Sequence, residues 1–213
     1  MYRYVLFDFD GTVFDTLEGI TKSVRFAINK VGMDAPLSEL KCFAGPPLFE
    51  MFEERFGFTP EEANQAVRDF RERYVPIGVY ESRVFQGVKE LLRELRAAGI
   101  VTGIATSKPQ HLAEELLGRE KMIGLFDVIS GSAPDVRNES KQQVTQRAMD
   151  FLGAAPEETV LVGDTKYDVA GAHKCGIKCI GVGYGYAAEG ELEAAGVDYI
   201  AADVDEIKNI VLN

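Results

Sequence analysis

The chain has 213 residues, a length that fits one domain or one domain carrying an insertion. Its formal net charge of -11 argues against nucleic acid or an anionic membrane as partner, because such partners are held by clusters of Lys and Arg. The three cysteines, Cys42, Cys175 and Cys179, form no CxxC pair, which indicates reduced thiols and excludes a zinc or disulfide framework. No apolar run is long enough for a signal peptide or a membrane span, so we expect a cytoplasmic protein.

Short apolar runs rich in Val and Ile alternate with helical patterns along most of the chain. This alternation is typical of an α/β fold, here a doubly wound parallel sheet with right-handed crossovers. The predicted strands are residues 4–9, 100–106, 126–130, 159–163, 178–182 and, more weakly, 198–201.

One interval, from residue 16 to residue 84, lacks any strand signal and shows helical spacing instead. Stretches such as "LFEMFEERFG" and "TPEEANQAVRDFRERYV" are typical of helices. The interval follows the first strand directly. We therefore expect it to lie over the carboxyl edge of the sheet, where open α/β sheets bind their ligands.

The first strand runs into two carboxylates in "VLFDFDGTVFDT". Asp8 and Asp10 flank Phe9, and alternation along a strand predicts that both acids point to the same side. Two close carboxylates are costly unless a cation lies between them or one stays protonated. Both remedies belong to phosphoryl transfer, in which Mg²⁺ binds carboxylate oxygens and one Asp attacks phosphorus.

A second pair of acids follows the strand in "TVLVGDTKYDVAGA". Asp168, four residues after Asp164, can turn its carboxylate back toward the same sheet edge and add oxygen ligands for a hard metal ion. An equally good interpretation makes Asp164 a turn residue and Asp168 a helix N-cap.

Two further stretches supply groups that suit a phosphate. In "GIATSKPQ", Thr106 and Ser107 end a strand before a helix that Pro109 is expected to open, and free backbone amides at a helix N-terminus bind phosphate. In "NESKQQV", Lys141 begins a helix, where a cation opposes the helix dipole unless an anion lies nearby. Lys108 and Lys166 compete with Lys141 for that role.

Taken together, "DFDGT", "ATS", Lys141 and "GDTKYD" resemble, in order, the four motifs of the haloacid dehalogenase superfamily. The resemblance spans nearly the whole chain. It implies a Rossmann-like core from residues 1–15 and 85–213, and a small helical-bundle cap from residues 16–84. It further implies a Mg²⁺-dependent phosphatase that acts on a small phosphomonoester through an aspartyl-phosphate.

The resemblance also assigns roles to individual residues. Asp8 becomes the nucleophile and Asp10 the general acid/base, while Lys141 neutralises the phosphoryl group that Thr106 and the Ser107 amide hold. The implied metal ligands are carboxylates of Asp8 and Asp164 and the backbone carbonyl of Asp10, with Asp168 supporting the site directly or through water.

Within the implied cap, the loop "FAGPPLFE" is similar to the cap loop of phosphoglycolate phosphatase-like members. Gly45 lets the backbone approach a ligand, and Pro46 and Pro47 stiffen the loop. An ordinary helix-to-helix connection remains the alternative. Basic cap residues could bind a second anionic group on the substrate; they are Lys22, Arg25 and Lys41.

Several functions remain open. Related enzymes include 5'-nucleotidases, pyrophosphatases and sugar-phosphate mutases, while a phospho-acceptor switch of the receiver type uses similar groups but explains neither the helical insert nor Asp10. His111 and His173 show no ligand pattern, whereas "YGYAAEGELEAAG" is a plausible loop near the active edge whose glycines could equally just turn the chain. The sequence leaves monomer and homodimer open.

Overall fold

A computed structural model describes residues 1–133 and 139–213 of the chain. These residues form two compact units, one of Met1–Phe14 with Val84–Asn213 and the other of Asp15–Arg83. Both transitions fall one residue before the boundaries expected from the sequence.

The regular elements alternate as an α/β chain with one helical interval. The strands are β1 (Tyr4–Phe7), β2 (Phe14–Asp15), β3 (Arg83–Val84), β4 (Val101–Pro109), β5 (Val128–Ser132), β6 (Thr159–Gly163), β7 (Lys178–Val182) and β8 (Tyr199–Ala201). The α-helices are α1 (Leu17–Asn29), α2 (Leu48–Phe56), α3 (Pro60–Tyr74), α4 (Val88–Ala97), α5 (Gln110–Arg119), α6 (Lys141–Leu152), α7 (Lys166–Lys174), α8 (Glu191–Ala194) and α9 (Val204–Leu212). Short 3-10 helices occupy Leu37–Phe43, Gly78–Tyr80, Ile123–Leu125 and Pro156–Glu158.

Six strands form one sheet in the order β5-β4-β1-β6-β7-β8, and every neighbouring pair is parallel. This confirms the doubly wound parallel sheet. The two remaining strands, β2 and β3, pair with each other. The sequence does not predict them, because a two-residue strand shows no periodicity.

The register of the central strands aligns their carboxyl ends. Phe7 at the end of β1 pairs with Ile104 on one side and with Val162 on the other. The residues that follow these three positions therefore emerge at the same edge of the sheet.

Several predicted strand ends differ from the structure, and β5 spans Val128–Ser132 instead of residues 126–130. β1 stops at Phe7, because the chain turns and Phe9 stacks on Phe14 with ring centroids 4.6 Å apart. β4 continues to Pro109 with a register shift against β5 after Ala105, so the expectation that Pro109 opens a helix is wrong. Pro109 instead caps α5, whose first residue is Gln110.

Part of the core lies between the sheet and helices α6 and α7. Leu6 of β1 and Leu161 of β6 belong to the same buried cluster as Met149 and Val169 from those helices. Because these side chains are almost fully enclosed, the strands hold the sheet edge in a rigid frame.

In the unit of residues 15–83, α1 buries one apolar stripe. Ile20, Val24 and Ile28 recur at helical spacing and are buried. Val31 lies beyond the end of α1 and is exposed, so it does not extend that stripe.

Helix α3 of the same unit has strong end signals. Thr59 and Glu62 form a capping box, in which each side chain accepts a hydrogen bond from the other residue's backbone N–H. Pro60 occupies the first helical position, where its missing N–H costs nothing.

Candidate active site

The carboxyl edge of the sheet brings together side chains from three motifs. Asp8 follows β1, and its backbone N–H donates to the Val162 carbonyl at 2.8 Å, which continues the parallel pairing by one step. Thr106 lies in β4 and Asp164 follows β6, on either side of β1. The strand order thus explains why distant sequence positions share one site.

Lys141 joins two of the acids. It is the first residue of α6, whose start is fixed by a capping box between Ser140 and Gln143. Its Nζ lies 2.5 Å from Asp8 Oδ1 and 2.7 Å from Asp168 Oδ1, and all three side chains are buried. Two carboxylates therefore balance the cation at this helix start. They are anions of the kind that its position in the sequence led us to expect nearby.

Burial shifts the protonation equilibria of Asp8 and Lys141. Burial raises the pKa of Asp8 to about 6, although the Lys141 charge acts to lower it. Burial also favours neutral Lys141, but Asp168 and Asp8 outweigh it and raise the pKa of the ammonium above its usual range. Lys141 is consequently charged at neutral pH.

Asp164 is fully buried and tightly positioned. Its Oδ1 accepts a hydrogen bond from the Thr12 hydroxyl at 3.3 Å, and its Oδ2 accepts one from the Tyr186 N–H at 2.8 Å. A Cβ on Gly11 or on Gly185 would overlap the Asp164 carboxyl group, so both positions require glycine. Burial, followed by the charges of nearby acids, raises the pKa of Asp164 well above its ordinary value.

The sequence patterns do not single out Gly185 and Tyr186. Both lie in the loop after β7, and its glycine could equally mark an ordinary turn. Only the packing of this loop against Asp164 shows that Gly185 contributes to the site and does not merely turn the chain.

Three acids could hold a metal ion. Asp8, Asp164 and Asp168 each offer an oxygen within 4.8 Å of the others'. Hard carboxylate oxygens suit Mg²⁺, and a divalent cation would offset a local negative charge that Lys141 alone does not balance. The donor set therefore fits the magnesium ion implied by the sequence.

Protein donors occupy both oxygens of Asp168, and three of them converge on Oδ2 alone. Its Oδ2 accepts from the backbone N–H groups of Asp164 at 3.1 Å and Thr165 at 3.0 Å, and from the Thr165 hydroxyl at 2.9 Å. Its Oδ1 contacts Lys141. These contacts favour a supporting role for Asp168 over direct ligation.

Asp10 does not belong to the three-acid group; its carboxylate pairs with a different lysine. Lys108 Nζ lies 3.0 Å from Asp10 Oδ1 and 3.3 Å from Asp10 Oδ2. From the sequence, Lys108 is only a competitor of Lys141 for the phosphate. Its contact with Asp10 depends on the continuation of β4 beyond Thr106, which the sequence does not predict.

The predicted phosphate-binding stretch lies at the same edge. Thr106 is buried, and its Oγ1 accepts a hydrogen bond from the Lys108 N–H at 3.2 Å. Ser107 is partly exposed. Lys166, the third candidate lysine, is exposed and lies over the Tyr167 ring, so Lys141 is the candidate that contacts Asp8.

The proposed specificity loop belongs to the unit of residues 15–83. Gly45 has a φ of 106°, a conformation that favours glycine, and Pro47 immediately precedes α2. Two of the basic residues of this unit form ion pairs, and the first is Lys22, which binds Glu18 and Glu81.

The second is Arg25, which pairs with Asp34 at 2.7 Å. Lys41 instead lines a cavity of about 510 Å³ within this unit, together with Thr21, Ser38 and Ser82. The other charged residues that line this cavity are Asp15, Glu18, Glu81 and Arg83, so the cavity does not single out Lys41 as the site of an added anion.

The two histidines lie on the surface. His173 contacts Asp198 at 3.0 Å and His111 is exposed, in agreement with the absence of a ligand pattern in the sequence. Among the described residues, no helix combines the length and the apolar character that crossing a membrane requires.

Comparison with known proteins agrees with this geometry. The family model described as haloacid dehalogenase-like hydrolase matches residues 5–182. A 5'-nucleotidase of Pseudomonas aeruginosa is 39% identical over 99% of this chain and 96% of its own length. The tyrosine-protein kinase PtkA of Mycobacterium tuberculosis is 34% identical over 97% of this chain and 71% of its own length.

A solved structure from Clostridium acetobutylicum, described as a predicted phosphatase, superposes with a TM-score of 0.96. It is 39% identical, and the match covers 100% of this chain and 99% of that one. The chain therefore belongs to the haloacid dehalogenase-like hydrolases and is a phosphatase of that family.

Proposed function

We propose that this phosphatase hydrolyses a small phosphomonoester through a covalent phosphoryl group on Asp8, with Mg²⁺ as cofactor. The observation that carries the proposal is the contact of Lys141 with both Asp8 and Asp168, buried at the sheet edge beside Asp164. A buried carboxylate held by an ammonium is a positioned nucleophile, and the same ammonium can neutralise the incoming phosphate.

In the first step, an Asp8 oxygen attacks phosphorus and the bond between phosphorus and the ester oxygen breaks. Asp10 gives its proton to the departing oxygen, so the product leaves as an alcohol. In the second step, Asp10 takes a proton from water while the water oxygen attacks phosphorus. Phosphate then leaves, and Asp8 regains its free carboxylate.

Asp8, Asp164 and the backbone carbonyl of Asp10 would hold the metal, and Asp168 would support them. When bound, Mg²⁺ supplies positive charge that stabilises the phosphoryl oxygens. Thr106 and the Ser107 amide would hold the transferred group from the β4 side. Lys141 would balance the charge that develops on it.

For the substrate, we propose 2-phosphoglycolate or a similar small ester. The support is the resemblance of the loop that contains Gly45, Pro46 and Pro47 to the cap loop of phosphoglycolate phosphatase-like proteins. We further propose that residues 16–84 act as the cap. The identity with a 5'-nucleotidase over almost the whole chain makes nucleoside monophosphates the second candidate class.

The test is phosphate release in the presence of Mg²⁺ from 2-phosphoglycolate, nucleoside monophosphates, pyrophosphate, sugar phosphates and an aryl phosphate. We expect selective turnover that a chelator abolishes and that Asp8→Asn lowers by at least about a thousandfold. The control is Asp150→Asn, an exposed acid of α6 that should leave turnover unchanged.

Three outcomes would contradict parts of the proposal. Turnover that survives in Asp8→Asn would remove Asp8 as the nucleophile. Isomerised sugar phosphate without net phosphate release would indicate a mutase. A phosphorylated chain that releases no phosphate would indicate a receiver-like switch.

Cytoplasmic location stays a prediction from the three free cysteines.

A further inference from the structure

Lys108 is a buried cation that the proposed reaction does not use. Its side chain is 2% exposed, whereas the Asp10 side chain that it contacts is 15% exposed. The ammonium therefore approaches the carboxylate from the protein interior, and Asp10 keeps an open side.

The contact includes both carboxylate oxygens. Lys108 Nζ is 3.0 Å from Oδ1 and 3.3 Å from Oδ2 of Asp10, and it also lies 5.5 Å from the centroid of the Phe9 ring. A buried ammonium is costly without a charged partner, so the fold holds Lys108 where Asp10 can meet it. Lys108 is almost fully enclosed and has less freedom to move than Asp10. It therefore limits the rotation of the Asp10 carboxyl group.

The backbone places Lys108 at this position. β4 continues past its last pairing with β1, at Ile104, and its register against β5 shifts before Pro109. Had the strand ended at Thr106, as the sequence suggests, the following residues would belong to a turn. The unusual strand end thus delivers a lysine to Asp10.

We propose that Lys108 is the positioning residue for Asp10, holding its carboxyl group in the direction needed for proton transfer. This inference rests on the proposed role of Asp10 as general acid/base. A protonated carboxyl group has one oxygen that carries the proton and one that remains an acceptor. Lys108 can bind the acceptor oxygen and so keep the protonated oxygen turned toward the leaving group.

The test compares two esters that differ in their need for a general acid. A 4-nitrophenyl ester leaves readily without a proton, whereas an alkyl ester requires one. In Lys108→Met we expect kcat/KM for the alkyl ester to fall by about a hundredfold, and that for 4-nitrophenyl phosphate by less than about threefold. Asp10→Asn should show the same contrast.

Two more variants separate positioning from stability. Lys108→Arg keeps a cation and should recover part of the lost alkyl-ester activity. Asp10→Asn combined with Lys108→Met removes both charges, and it should be no slower than Asp10→Asn alone because the two residues act as one unit. The matched control is Lys89→Met, which breaks the 2.8 Å ion pair with Glu120. This pair lies in the same unit as Lys108, the one formed by Met1–Phe14 with Val84–Asn213.

Equal losses for the two esters in Lys108→Met, or a further loss in the double variant, would overturn the inference. A contrast in Asp10→Asn without one in Lys108→Met would overturn it while leaving the role of Asp10 intact. No contrast in Asp10→Asn would contradict the acid/base assignment itself. Should Lys108→Met not fold, Lys108→Arg and the charge-free double variant carry the same comparison.

Discussion

At the scale of single residues, Asp8 combines two demands that oppose each other. As the proposed nucleophile it must be ionised, yet its burial favours the neutral acid and raises its pKa to about 6. Lys141 supplies part of the compensation at 2.5 Å. A divalent cation can supply the rest of the positive charge that ionised Asp8 needs. Without the metal, the charge on Asp8 should therefore destabilise the protein.

This gives a prediction for stability against pH. The raised pKa means that the native state binds more protons than the unfolded state between pH 3.8 and about 6. In chelator, Asp8 therefore lowers the free energy of unfolding as the pH rises through this window, by up to about 3 kcal/mol. Asp8→Asn should remove that part of the decline, measured by urea unfolding at a series of pH values.

The comparison of wild type with Asp8→Asn cancels the contributions of surface carboxylates, and Asp150→Asn again serves as the control. Mg²⁺ should reduce the difference between the two proteins, because it stabilises ionised Asp8. Parallel curves for wild type and Asp8→Asn in chelator would contradict this view of Asp8.

At the scale of elements, the adjacency of β1, β4 and β6 explains why so much of the site is predictable. Strand ends read from the sequence bring Asp8, Thr106 and Asp164 to one edge, once the strands are known to be neighbours. Hydrophobic periodicity identifies such buried strands well. It does not reveal contacts that depend on how a chain continues after its strand.

Two contacts show this limit. The Lys108 pair with Asp10 depends on the extension of β4 to Pro109, and "TSKP" gives no sign of that extension. The packing of Gly185 against Asp164 depends on a loop more than twenty residues downstream. Tertiary packing, which single-sequence patterns do not contain, decides both.

The loop after β7 gives a prediction of its own. In Gly185→Ala, the added methyl group would overlap Asp164 and displace its carboxylate from the Tyr186 N–H. Because such supporting contacts orient a metal ligand, we expect the Mg²⁺ concentration for half-maximal activity to rise by about tenfold or more. A titration of activity with Mg²⁺ measures this shift.

Gly183→Ala is the matched control in the same loop. A Cβ there would meet its nearest atoms at 3.7 Å and 3.8 Å, which is ordinary contact, so Mg²⁺ activation should stay unchanged. Equal Mg²⁺ requirements in the wild type and Gly185→Ala would mean that the position of Asp164 does not control metal binding.

At the scale of the whole molecule, the predicted chemistry and the predicted substrate belong to different units. The described acids and lysines of the candidate site lie in Met1–Phe14 with Val84–Asn213, where strand ends make motifs readable. The proposed specificity loop lies in Asp15–Arg83, whose amphipathic helices follow a pattern shared by many unrelated bundles. The sequence therefore predicts the reaction more sharply than the ester.

In the proposed reaction, the phosphoryl group passes through Asp8. The most direct measurement is acid quenching of Asp10→Asn protein mixed with Mg²⁺ and 4-nitrophenyl phosphate, followed by mass spectrometry of the peptide that contains Asp8. This ester needs no general acid to leave, whereas hydrolysis of the covalent product needs the missing base. We predict a stoichiometric burst of 4-nitrophenol and one phosphoryl group on Asp8. A phosphoryl group on another residue, or turnover without any phosphorylated chain, would contradict the account.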